Sequence, residues 1–117
     1  MELKRARHSG LAVIGAGTAI SAAVDFRKFT TGVYHMPGTW TAAHMGFQVC
    51  QTKAGTYLPL YDKVGALVDT TTTAVDVALT LPPELAGCAW FKFWSQNGTG
   101  TGVNQVAAAP IDYDLKG

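Results

Sequence analysis

Apolar and polar residues alternate with period two over several stretches of the chain, the spacing of strands that turn one side to a core. Residues 44–51 set Met45, Phe47 and Val49 against Gly46, Gln48 and Cys50. Toward the end of the chain, Ile111, Tyr113 and Leu115 oppose Asp112, Asp114 and Lys116. Val75, Val77, Leu79 and Leu81 likewise oppose Asp76, Ala78 and Thr80, after a polar β-branched run at residues 70–73. Residues 88–95 carry aromatics on both sides, Phe91 and Phe93 on one and Trp90 and Trp94 on the other, so both faces of that strand need cover. In residues 27–35, Phe29, Thr31 and Val33 alternate with Lys28, Thr30 and Tyr34, and Gly32 marks an expected bulge.

Shorter apolar stretches at 11–14 and 19–25 flank a glycine turn at 15–18, and Pro59 breaks a short strand at 57–61. Turn chemistry recurs at 36–39, 53–56 and 62–65, roughly every ten residues. Residues 82–87 read as a crossing loop with one helical turn, and residues 96–102 as a flexible loop. Pro110 confines the last strand to an edge or to its own beginning. About eight strands without a longer helix predict an all-β fold, an antiparallel β-sandwich of jelly-roll or immunoglobulin-like type. A single domain over residues 11–117 is expected, preceded by a basic N-terminal arm at residues 1–10 that lies outside the core.

Composition sharpens this picture. Of the 117 residues, 48% are hydrophobic and only 15% charged, against about 25% charged in an average domain. Disorder is excluded, and so weakly hydrated a surface points to assembly. A net charge of +1 gives no whole-domain case for nucleic acid. Cations at Lys4, Arg5 and Arg7 before the apolar stretch at 11–24 imitate a secretory signal. Gly15, Gly17, Thr18 and Ser21 interrupt it, and no apolar run reaches 18 residues, so neither a leader nor a membrane span is predicted. Cys50 and Cys88 lack metal or redox spacing and read as reduced, buried thiols.

Candidate chemistry is sparse. Val13-Ile14-Gly15-Ala16-Gly17-Thr18 opens like a dinucleotide-binding turn, but Ile20 stands at the third small position and no helix follows. His35, His44, Cys50 and Cys88 match no metal spacing, and Asp112 with Asp114 reads as the solvated face of a strand. Asn97-Gly98-Thr99 is a formal glycosylation sequon in a polar loop. No catalytic residue, cofactor or metal is therefore assigned, and the chain is read as no enzyme. Trp40, Tyr57, Tyr61, Trp90 and Trp94 suit a core or an interface, with sugar stacking as the alternative. Lys4, Arg5, Arg7, Trp90 and Trp94 are the expected partner-binding residues.

Several segments together resemble a family of small bacteriophage virion structural proteins. They are residues 18–25 (Thr-Ala-Ile-Ser-Ala-Ala-Val-Asp), 36–49 with their Met-Pro-Gly-Thr-Trp-Thr-Ala-Ala opening, 57–62, 79–87, and Phe91-Lys92-Phe93-Trp94-Ser95 leading to Val103-Asn104-Gln105. The resemblance implies a β-sandwich without catalytic function, located in the virion and assembled in the host cytoplasm. It implies a capsid decoration or cement protein that bridges major capsid subunits, with a tail or head-tail component or a lectin-like virion module as alternatives. Its partners would be the major capsid protein or another virion protein, and further copies of itself, expected as trimers. No specific nucleic acid and no membrane is implied. Ala107-Ala108-Ala109-Pro110 and the basic arm depart from the family pattern.

Overall fold

The computed structural model describes residues 6–71 and 74–117. Among these residues period-two alternation resolves into nine strands: β1 (Arg7–Ile14), β2 (Val24–Asp25), β3 (Thr31–His35), β4 (His44–Cys50), β5 (Leu58–Pro59), β6 (Asp69–Thr70), β7 (Ala78–Thr80), β8 (Trp90–Gln96) and β9 (Ala109–Lys116). The one helical turn, Pro83–Leu85, lies in the crossing loop where the sequence places it. One antiparallel sheet has the order β1-β9-β3-β7 and the other β2-β8-β4-β5, with β6 also paired to β4. Successive strands cross between the sheets at six of the eight connections, all but β4 to β5 and β5 to β6. That order is a jelly roll, whereas hairpin neighbours share a sheet in an immunoglobulin-like sandwich.

The sheets are joined by aromatic rings. Phe47 of β4 and Phe91 and Phe93 of β8 pack with ring centroids 5.2 to 6.0 Å apart, and Tyr34 of β3 meets Phe93 at 5.3 Å and Phe47 at 6.2 Å. Phe26, Ile14, Ile111 and Leu115 extend this core, all fully buried. Gln105, also fully buried, is its polar counterpart. Its Oε1 accepts from the Thr41 N–H at 2.7 Å, and its Nε2 donates to the Thr41 carbonyl and the Ser95 hydroxyl at 3.1 and 2.9 Å. Its backbone N–H donates to the Thr18 carbonyl at 2.8 Å, so one side chain and one peptide tie three connections together.

The arm boundary at residue 10 does not hold for residues 7–10. They form the first half of β1, aligned with β9 from Arg7 opposite Lys116 to Ile14 opposite Ala109, because β9 offers an eight-residue partner. Lys4 and Arg5 lie outside the described residues, as do Thr72 and Thr73 of the polar run. The strand expected around residues 75–81 shortens to Ala78–Thr80, since Asp76 takes a left-handed φ of 56°. On β3 the buried positions are Gly32 and Tyr34, not Val33. No bulge forms there, because the register of β3 with β9 is continuous. Pro110 lies near the start of β9, beyond the end of β3, where its missing N–H breaks no ladder bond between them.

Gly32 instead answers a close approach: a Cβ there would lie 2.6 Å from the Asp114 carbonyl oxygen and 2.9 Å from Leu81. Gly17, with φ 76°, has nothing within 4 Å of the corresponding point. Urea unfolding is therefore expected to show Gly32→Ala losing about 2–3 kcal/mol through overpacking. Gly17→Ala loses about 1 kcal/mol, the cost of an L side chain in a left-handed conformation.

Candidate interaction surfaces

Cations collect at one end of the sandwich. Arg7 and His8 of β1 line a groove of about 410 Å³ with Asp25, Arg27, Lys28 and Phe29. The link between β2 and β3 brings Arg27 and Lys28 there, a proximity that twenty residues of separation conceal in the sequence. Arg27 is held as a fork: Nε donates to Asp25 Oδ1 at 2.9 Å and Nη2 to Oδ2 at 2.7 Å. Those hydrogen bonds hold the Asp25 carboxyl at about 2, below its ordinary 3.8. The lowered value keeps Asp25 charged, and the fork intact, at every pH above that range. From there the guanidinium reaches over Trp90, 4.8 Å from the ring centroid, with Lys53 at 5.9 Å. Lys92 lies 4.3 Å from the Tyr57 ring centroid. These are cation–π distances.

Arg7 and Trp90 thus belong to one cationic-aromatic surface, linked through Arg27. Trp94 does not join them as an exposed ring. It points to the same side of β8, but Gly46 leaves room for its ring and the turn at residues 97–102 folds over it, leaving it 6% exposed. That turn is tied down, contrary to the flexible loop expected. Gln96 Oε1 accepts from the N–H groups of Gly98 and Gly100, and Asn97 Oδ1 accepts from Thr99 and Thr101. The sequon asparagine is therefore engaged within its own turn.

Two clusters carry ionisable groups of the kinds used in catalysis. His44 Nδ1 lies 2.6 Å from Asp69 Oδ2, and the Thr71 hydroxyl lies 3.4 Å from the same Nδ1. A relay needs the carboxylate and the hydroxyl on opposite ring nitrogens, so this trio is not arranged as one. On the outer face of the other sheet, the Ser9 hydroxyl donates to Asp114 Oδ1, and His35 Nε2 lies 3.7 Å from Asp114 Oδ2. The Ser9 hydrogen bond, aided by His35, lowers the Asp114 carboxyl from its ordinary value. Serine and histidine both meet the carboxylate here rather than each other. Among the described residues no three His, Cys, Asp or Glu side chains form a metal-binding group.

Cys50 and Cys88 are free and part-exposed rather than buried. They line an open groove of about 730 Å³ with Val49, Thr56 and Leu58, because Cys50 ends β4 and Cys88 precedes β8. Hydrogen bonds from the Thr52 backbone lower the Cys50 thiol, while burial raises Cys88.

No protein-family model and no curated protein matches the chain. The topology defines a small jelly-roll domain. A solved structure similar to it is the crystal structure of the SPBc2 prophage-derived protein YomS, with a TM-score of 0.61 and 12% identity, covering 100% of this chain and 98% of that one. The likeness is one of fold.

Acrylamide quenching tests the placement of the tryptophans: Trp90→Phe is expected to remove most of the quenchable emission, and Trp94→Phe little of it. Asp25→Asn, which unlocks Arg27, increases quenching of Trp90. The wild type acquires the same increase only as pH falls through about 2, where Asp25 protonates. In a thiol assay at neutral pH, Cys50→Ser is expected to remove the faster-reacting thiol and Cys88→Ser the slower, since the thiolate is the nucleophile.

Proposed function

We propose that this protein is a non-catalytic bacteriophage structural protein that decorates the capsid and cements it. The observation that carries this reading is a jelly roll that matches 98% of a prophage-derived protein in fold, combined with a cationic-aromatic end and a charged fraction of only 15%. Jelly rolls are a recurrent architecture of viral shells. The groove of Arg7, His8, Arg27 and Lys28 continues the basic sequence of Lys4 and Arg5, and suits an acidic surface on a neighbouring capsid subunit. Trp90 beside it supplies the aromatic and arginine character found at interface anchors.

Cementing works by mass action. Each copy that binds two shell subunits stabilises the state in which they are together. Buried apolar area contributes roughly 25 cal/mol per Å² before the cost of association. The jelly roll is also a lectin architecture, but Trp94 lies under its turn and Trp90 under Arg27 and Lys53, so neither of these tryptophans offers an open ring face to a sugar.

Mass spectrometry and cryo-electron microscopy of particles assembled from a genome carrying this gene test the reading. The chain is expected in many copies, as density on the outer shell. The joint substitutions Lys4→Glu, Arg5→Glu and Arg7→Glu are expected to lower its occupancy without unfolding it. Density confined to the tail would replace decoration with a tail or head-tail role, and a particle lacking the chain would overturn the proposal.

A further inference from the structure

Strand β1 is an edge of its sheet, with β9 on one side only. The Gly117 N–H donates to the Ala6 carbonyl at 2.8 Å, which fixes the phase of the ladder. Alternation along an antiparallel pair then turns the backbone groups of His8, Gly10, Ala12 and Ile14 toward β9. The N–H and C=O groups of Arg7, Ser9 and Leu11 face away from it. Ser21 bridges to Ile14 and closes the far end of this edge. Among the described residues, nothing pairs with the edge between Arg7 and Leu11.

Natural sheets guard such an edge with charged side chains, proline, a bulge, a very short strand or a covering loop, and of these the open stretch of β1 carries only the charge of Arg7, at its end. β1 is eight residues long, contains no proline, and keeps a continuous register with β9. Its outward side chains include Leu11, 57% exposed, and Val13, 40% exposed. Leucine and valine side chains in water beside unpaired peptide groups are what a pairing strand covers.

We infer that β1 pairs antiparallel with β1 of a second copy, joining two four-stranded sheets across a two-fold axis. Charge complementarity selects this occupant. Along the outer face of β1 and β9, the aligned pairs run from Arg7 with Lys116, through Ser9 with Asp114 and Leu11 with Asp112, to Val13 with Pro110. One end is cationic, and the carboxylates and apolar groups follow it. A two-fold partner runs the other way. With Ser9 at the axis, Arg7 of each copy lies opposite Leu11 of the other, and Asp112 of that other copy stands in the next column. The Arg7 stem covers the leucine, and its guanidinium is directed to the carboxylate. The match occurs twice by symmetry, as an isologous contact requires. This contact gives a dimer rather than the trimer expected from the family resemblance, and it does not depend on a place in a virion.

Proline at residue 11 is the sharpest probe. The Leu11 N–H points away from β9, so Leu11→Pro removes no bond of the monomer's ladder but blocks a strand from pairing at that edge. By sedimentation equilibrium at about 100 µM, the wild type is expected at twice its 12.4 kDa chain mass. Leu11→Pro, checked for native near-ultraviolet circular dichroism, is expected to raise the dimer dissociation constant at least about tenfold. Leu11→Lys and Arg7→Glu alter no backbone group and keep the test valid if the proline variant fails to fold; both must weaken the dimer, as must added salt. A wild type that is monomeric at this concentration, or a dimer that these variants leave equally tight, would overturn the inference.

Discussion

The contact of Tyr34 with the rings of Phe47 and Phe93, which pack in turn on Phe91, is the joint on which the rest of the molecule depends. Few residues lie in long strands outside β1, β4, β8 and β9, and β2, β5 and β6 are two residues each. Strands so short do not persist by ladder bonds alone. They are held because β4 and β8 are clamped to the opposite sheet by aromatic burial, and the short strands pair with that clamped centre. Gln105 acts at the connections, where rings cannot reach. It satisfies the Thr41 backbone in both directions inside the core, an arrangement that an apolar residue would leave unpaired.

A rigid two-sheet body fixes what its surface can do. The cationic groove, Trp90 and the open edge of β1 are held by the same clamped strands, so Arg7 serves both the groove and the strand edge. The His44–Asp69 contact and the Ser9 hydroxyl on Asp114 stabilise local structure through hydrogen bonds to a carboxylate, with His35 3.7 Å from the second Asp114 oxygen. The first lies beside the turn that covers Trp94, since Gln96 reaches both Asp69 and the N–H of Gly98. In the assembly role proposed above, this scaffold acts through contact area and placement.

Much of this architecture was legible from period two alone. β9 follows the alternation of residues 111–116 residue by residue, and β4 and β8 keep Met45, Phe47, Phe91 and Phe93 on the buried side, because one side of each is buried against the other sheet. Legibility failed where a third element intervenes. Trp94 alternates as an outward residue and is outward, yet the 97–102 turn covers it, and nothing in the β8 segment foretells that cover. Residues 7–10 look like a charged tail until β9 is there to pair with them. On β3, Gly32 and Tyr34 take the inner side, and the nearby Asp114 carbonyl leaves no room for a Cβ at 32. Of the expected partner-binding residues, Arg7 and Trp90 share a surface, while Arg27 and Lys28 join it only through the path of the chain after β2.

Hydrogen–deuterium exchange of the free protein and of the protein bound in an assembled particle addresses the central claim most directly: a rigid aromatic joint that carries its contacts at the Arg7 end. The account predicts that amides of β4 and β8 exchange slowest in both states. It predicts that protection gained on assembly appears in residues 7–11 and 25–28. Fast exchange in β8 of the free protein, or protection gained only at the turns 62–65 and 97–102, would contradict it.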